Sequence, residues 1–180
     1  INQQVARELL EGQGFYVDLA VNGKEGVEKA LENAYDTILM DIQMPIMGGY
    51  EAAETIRKNK TKQELPIIAM TANAMVGDRE KALEVGMNDH VAKPIDPQQL
   101  YGALAKWIKP GEREIPSDYQ AKQQKAKANV QLPQDLPEID IKAGLTRVGG
   151  NKKLYRDLLI KFYNNHQTII NDIQEALDKK

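Results

Sequence analysis

Three short apolar runs in this chain each end in a polar residue suited to handling phosphate. They are Thr37-Ile38-Leu39-Met40-Asp41, Pro66-Ile67-Ile68-Ala69-Met70-Thr71 and His90-Val91-Ala92-Lys93-Pro94. Continuous apolar runs, as opposed to alternating ones, suit strands covered by helices on both faces, and those strands are parallel. Parallel strands point the same way, so their carboxyl ends share one edge of the sheet. A carboxylate, a hydroxyl and an ammonium then meet at that edge, where open parallel sheets place their ligands.

Residues 1–108 alternate helix and strand patterns at short intervals, which predicts a parallel sheet with right-handed crossovers. Ile1, Val5, Leu9 and Leu10 have helical spacing, with Gly12 or Gly14 as the stop. Tyr16–Val21 reads as a strand. Gly23–Asn33 reads as a helix with Val27, Ala30 and Leu31 inward. Strands are expected over Asp36–Met40, Leu65–Met70 and Asp89–Ala92. Helices are expected over Gly49–Lys60, with Ala53 and Ile56 inward, and over Asp78–Val85, stopped by Gly86. Asp96 caps a last helix, with Pro97 in its first turn and Leu100, Leu104, Trp107 and Ile108 inward. That makes four strands and five helices.

Residues 109–137 hold Pro110, Pro116, Pro133 and Pro137 among Lys, Gln and Ala, and too few large apolar residues to fold alone. They read as a linker with a helical patch at Tyr119–Ala128. In 138–180, Asp140 caps a short helix through Val148, and Gly149-Gly150 ends it. Asn151 then caps a long helix with an apolar stripe of Leu154, Leu158, Phe162, Ile169, Ile173 and Leu177. Two helices need partners, as in a four-helix bundle.

The net charge is −2, which gives no footprint for nucleic acid. Cysteine is absent, so disulfides and thiolate metal sites are excluded. No apolar run approaches the ~20 residues of a membrane span, and no signal peptide is visible. The chain starts at Ile1, not Met, and is read as a piece of something longer.

A carboxylate can attack phosphorus and form an acyl phosphate. Phosphoryl transfer then needs charge neutralised on the equatorial oxygens. Lys93 offers a point charge and Thr71 a hydroxyl. Mg²⁺ normally completes such a site, because it prefers oxygen ligands and bridges phosphates.

At these residues the chain resembles a family. Met40-Asp41-Ile42-Gln43-Met44-Pro45-Ile46-Met47-Gly48-Gly49 looks like the phosphoacceptor segment of bacterial response-regulator receiver domains. Thr71-Ala72-Asn73-Ala74 resembles that family's switch-threonine segment, and Lys93-Pro94 its lysine and cis-proline step. His90 falls where the family keeps a rotating aromatic switch residue. The resemblance covers about 1–108. It implies an α/β, flavodoxin-like, doubly wound parallel sheet with strand order 2-1-3-4-5, an order for which the general rule itself uses a receiver as an example. It also implies that Asp41 is the phosphoacceptor, assisted by Lys93 and Thr71. The family's first strand ends in an acidic pair that holds Mg²⁺, and it is expected to precede Ile1. Within the chain the implied metal ligands are the Asp41 side chain and the Gln43 backbone carbonyl, so Mg²⁺ is expected to bind weakly or not at all.

Asp140-Ile141-Lys142-Ala143-Gly144-Leu145 with Gly149-Gly150-Asn151-Lys152-Lys153-Leu154-Tyr155 resembles the opening of a histidine phosphotransfer (HPt) domain. His166 lies at the edge of the apolar stripe, followed by Gln167-Thr168 where that family has Lys-Gly, and it reads as structural. The resemblances imply a receiver at 1–108, a linker at 109–137 and the start of an HPt domain at 138–180. That is the layout of the C-terminal part of a hybrid sensor histidine kinase. The function they imply is phosphorelay: Asp41 takes a phosphoryl group from the phosphohistidine domain of a kinase and passes it to an HPt histidine, with a downstream response regulator as a further partner. No ATP site is visible, so the kinase activity belongs to the parent protein. The expected location is cytoplasmic, with any inner-membrane anchor upstream. The alternative is a receiver-like docking module that regulates a kinase without being phosphorylated. An Asp-nucleophile phosphatase is disfavoured, because its second Asp would stand where Gln43 is.

Overall fold

The computed structural model describes residues 2–72, 76–111, 132 and 139–164. It divides into two compact units, Tyr16–Glu114 and Ile1–Phe15 with Ile115–Lys180.

The second of these units contains α1 (Asn2–Gly12). Ala6, Leu9 and Leu10 of α1 are buried, and Gly14 follows at φ +87°. Its Val5 packs on a small core of Val148, Leu154 and Tyr155, and Lys161 Nζ donates to Gln4 Oε1 at 3.5 Å.

The strand-bearing unit runs α2 (Gly23–Glu32), β1 (Ile38–Asp41), α3 (Gly49–Arg57), β2 (Ile67–Thr71), α4 (Val76–Glu84), β3 (Asp89–Ala92) and α5 (Pro97–Trp107). The strands form one parallel sheet in the order β1-β2-β3. Ile38 pairs with Ile67 and Asp41 with Met70; Ile68 pairs with Asp89 and Thr71 with Ala92. All five residues of β2 are buried. The order matches the last three strands of the expected 2-1-3-4-5.

The core follows from the period of each element. Met40, Ile67 and Ala69 meet Val27 and Ala30 of α2, Ala52, Ala53 and Ile56 of α3, and Ala82 of α4. Leu100 and Leu104 of α5 are buried as expected. Asp96 caps α5 by accepting from the backbone N–H groups of Gln98 and Gln99. Gly86, at φ +92°, follows α4. Leu31, expected inward, is 40% exposed; four residues past Val27 it sits about 40° round the helix, on the outer edge of the buried stripe.

The expected strand at Tyr16–Val21 does not form, and the described sheet has three strands, not four. Its backbone groups are taken by nearby side chains. Asp18 Oδ1 accepts from Leu19 N–H at 3.0 Å, Glu25 Oε2 accepts from Val21 N–H at 2.9 Å, and Lys29 Nζ donates to the Leu19 carbonyl. Tyr35 O–H donates to Asp18 Oδ2 at 2.8 Å; burial, then this bond, push the phenol up to about 12.

Beyond residue 111 the described part is mainly helical. Asp140 accepts from Ala143 N–H and caps α6 (Ile141–Arg147), and Gly149 and Gly150 end it at φ +61° and +78°. A second helix, α7, covers 152–164 of the described residues. A Cβ on Gly144 would stand 2.4 Å from the Tyr155 ring, so only glycine lets α6 sit against that ring. Leu154 of the expected stripe is fully buried, but Phe162 is 60% exposed. The remaining stripe positions Ile169, Ile173 and Leu177, together with His166 and the patch at Tyr119–Ala128, lie outside the described residues.

At the amino end of the sheet Asn88 joins three segments. Its Oδ1 accepts from Ile67 N–H at 3.0 Å and from an Arg57 guanidinium N–H at 3.0 Å. Its Nδ2 donates to the Lys62 carbonyl at 3.0 Å. Arg57 also donates to the Gly86 carbonyl at 2.7 Å. Asn88→Ala leaves the buried Ile67 N–H and the guanidinium short of acceptors and should cost about 2–3 kcal/mol. Urea unfolding measures it; a loss under ~1 kcal/mol would show that Asn88 is not the joint described.

Asp89 ties α5 to β3 at the same end. Its Oδ2 accepts from Trp107 Nε1 and Lys106 Nζ, each at 2.8 Å, and its Oδ1 from His90 N–H at 3.0 Å. Burial pushes the carboxyl up, but these bonds outweigh it and hold Asp89 below its ordinary value. A carboxyl depressed by folding adds stability above the unfolded pKa of about 3.9 and loses it as pH falls through the lower folded value. Asp89→Asn should therefore flatten the acid limb of a stability–pH curve below about pH 4, and Trp107 fluorescence provides the readout.

Candidate functional site at the carboxyl edge of the sheet

Each candidate side chain is placed by the strand it ends. Asp41 is the last residue of β1, Thr71 the last of β2, and Lys93 the first after β3. Parallel pairing sets all three at one edge. Lys93 Nζ lies 2.5 Å from Asp41 Oδ2, and the two side chains are only 15% and 20% exposed. At an effective dielectric of ~20 their attraction is roughly 7 kcal/mol, and desolvation offsets most of it. The pair therefore orients the carboxylate more than it stabilises the fold. Asp41 Oδ1 accepts from Gln43 N–H at 3.0 Å, which fixes the second oxygen.

Thr71 is 2% exposed, and its Oγ1 is buried with no hydrogen-bond partner among the described residues. Its carbonyl accepts from Lys93 N–H at 2.7 Å, so backbone links the hydroxyl residue to the ammonium residue. The Lys93-Pro94 peptide is cis. Asn73 and Ala74 lie outside the described residues.

His90 pairs with Ala69 in the interior of β3. Its Nδ1 is buried without a hydrogen-bond partner among the described residues and lies 3.8 Å from Asp89 Oδ1. No described hydrogen bond joins it to Asp41, Thr71 or Lys93, so the structure brings three of the four named side chains to the edge and leaves His90 on the strand.

The loop from β1 to α3 is pinned twice. Gly49 N–H donates to the Ile42 carbonyl at 3.0 Å, and Gly23 N–H, at the start of α2, to the Met47 carbonyl at 3.2 Å. A Cβ on Gly49 would fall 2.2 Å from the Asp41 carbonyl oxygen, and one on Gly23 2.4 Å from the Met47 carbonyl oxygen. Between the pins, Met47 N–H bonds the Pro45 carbonyl at 2.8 Å around Ile46, which sits at φ +70°. A β-branched residue there costs about 1–3 kcal/mol. Sequence reasoning missed both features. Glycine in a loop is ordinary, and nothing in an apolar letter signals a positive φ.

The family described as the response regulator receiver domain matches residues 1–105. The chain belongs to the response regulator receiver family. It is 34% identical over 176 residues to the signal transduction histidine-protein kinase BarA of Escherichia coli K12, a match covering 98% of this chain and 18% of that protein. The chain thus spans about a fifth of that relative's length. The receiver domain of sensor histidine kinase PA1611 from Pseudomonas aeruginosa, solved with magnesium coordinated in its active-site cleft, is 43% identical. It superposes with a TM-score of 0.55 over 59% of this chain and 88% of that one. The receiver domain of Ssk1 from Saccharomyces cerevisiae, crystallised with the histidine phosphotransfer protein Ypd1, is 32% identical with a TM-score of 0.55, covering 59% and 81%. The parallel sheet and its helices are the flavodoxin-like receiver fold. Among the described residues no helix is long and apolar enough to cross a membrane.

The pins make the loop intolerant of volume. Gly49→Ala must move the Asp41 carbonyl and should cost about 2 kcal/mol or more. A thermal melt unchanged from the parent would show that the close approach is not a constraint.

Proposed function

We propose that Asp41 accepts a phosphoryl group from a phosphohistidine, and that this chain works within a phosphorelay. The observation that carries the reading is the part-buried Asp41–Lys93 pair beside the buried Thr71 hydroxyl. The phosphorus–nitrogen bond of the donor breaks as an Asp41 oxygen bonds to phosphorus, and the imidazole leaves with the electron pair. Gln43 N–H and Lys93 hold the carboxylate ready for in-line attack. As phosphorus arrives, Lys93 neutralises an equatorial oxygen, and Thr71 Oγ1 has a free proton to donate to another.

Asp41 and the Gln43 carbonyl are the residues that would hold Mg²⁺, which neutralises phosphoryl oxygens when bound. One carboxylate with phosphate oxygens and water is a donor set Mg²⁺ accepts, but among the described residues no group of three or more His, Cys, Asp or Glu could hold a metal.

Residues 1–108 form the receiver, 109–137 the linker and 138–180 the start of an HPt domain. The BarA match over nearly the whole chain supports this layout, as do the Asp140 cap and the Gly144–Tyr155 packing. The parent is a hybrid sensor histidine kinase acting from the cytoplasmic side. Its partners are the kinase phosphohistidine domain, an HPt histidine and a downstream response regulator. Thr71 is the switch residue, and His90, with its unbonded buried Nδ1, moves with it.

A second reading is a docking module that is never phosphorylated. One assay separates the two. A histidine kinase autophosphorylated with radiolabelled ATP should label the protein in its native flanks, Asp41→Asn should abolish that label, and Lys93→Ala should slow it about 10²-fold. Label persisting on Asp41→Asn would overturn the phosphoacceptor reading.

A further inference from the structure

Ile46 breaks a local rule beside the site. Its φ is +70° and it is 81% exposed, so burial does not explain the side chain and backbone preference opposes it. Glycine or asparagine would occupy the position with less strain. Its neighbours Met44 and Met47 pack toward the core, while the hydrogen bonds of Gly23 and Gly49 fix the loop around it. A rigid turn therefore holds one apolar side chain out in water, five residues past Asp41. A strained, locally disfavoured residue kept at a functional edge points to a role at that edge.

We infer that Ile46 is a docking contact for the helix that presents phosphohistidine to Asp41, and that it discriminates among such partners. The inference rests on the phosphoacceptor reading above. Transfer requires the donor imidazole to stand in line with an Asp41 oxygen, so its helix must lie across the carboxyl edge of the sheet. The 42–49 loop forms part of that edge. A helix carrying a histidine at that point presents further side chains three and four residues away on the same face. An apolar one among them meets Ile46 and removes it from water. The loop is already ordered, so little entropy is lost on contact. A small phosphodonor has no helix and gains nothing from Ile46.

The test compares two donors on the protein in its native flanks. One is phosphoramidate with Mg²⁺. The other is a histidine kinase, autophosphorylated, chosen because it loads the unmodified protein. Ile46→Asn should melt no lower than the parent and take phosphate from phosphoramidate at an unchanged rate. Its kcat/KM with the kinase should fall at least tenfold, mainly through KM, and Ile46→Leu should restore most of it. Kinase transfer to Ile46→Asn within twofold of the parent overturns the inference, as does an equal loss with both donors. If the unmodified protein is loaded by neither donor, the phosphoacceptor reading falls and this inference falls with it.

Discussion

Pairing of β2 with a parallel strand on each side is the constraint on which the site depends. Thr71 lies opposite Ala92, so Lys93 comes next in line beyond the ladder, while Asp41 lies opposite Met70. A register slip of one residue would turn every side chain of a strand to the other face. Both faces of β2 are buried, so the slip would force Ile67 and Ile68 into packing shaped for other side chains, and it would also separate the ammonium from the carboxylate. The burial that fixes the register therefore fixes the site geometry, with no separate device needed.

That coupling explains why the site was legible in the amino-acid sequence. Strands buried on both faces must be apolar throughout, so their ends show as the first polar residues, and those are the candidate site residues. Helix ends were equally plain where a side chain does the capping, as at Asp96 and Asp140, or where a positive φ needs glycine, as at Gly86. Tyr16–Val21 misled because strand pattern records only what a segment could pair with. Asp18, Glu25 and Lys29 bond three of its backbone groups instead, across up to 10 residues. Phe162 differed because a stripe of apolar residues says which face is apolar, not how deeply each residue on it is buried.

The loop after β1 was the least legible part and the most constrained. Gly23, far away in sequence, is needed because the Met47 carbonyl approaches it, and Gly49 because the Asp41 carbonyl does. Neither requirement is local. Both hold the backbone that carries Asp41 and Gln43, so the Asp41 carboxylate is set by close backbone contact as well as by the ammonium beside it. The match of this chain to receiver domains over 1–105 spans these same approaches.

The two ends of the sheet are tied differently. At the amino end, the described partners of the Arg57 guanidinium are carbonyl oxygens and the Asn88 amide, all of them neutral, and the charged Asp89–Lys106 pair joins α5 to β3 there. At the carboxyl end the contacts are between full charges. A dianionic phosphoryl group arriving at Asp41 would upset the second balance and leave the first untouched. On the phosphoacceptor reading the sheet is anchored at one end and responsive at the other, so an event at Asp41 works against a far end whose contacts it does not touch.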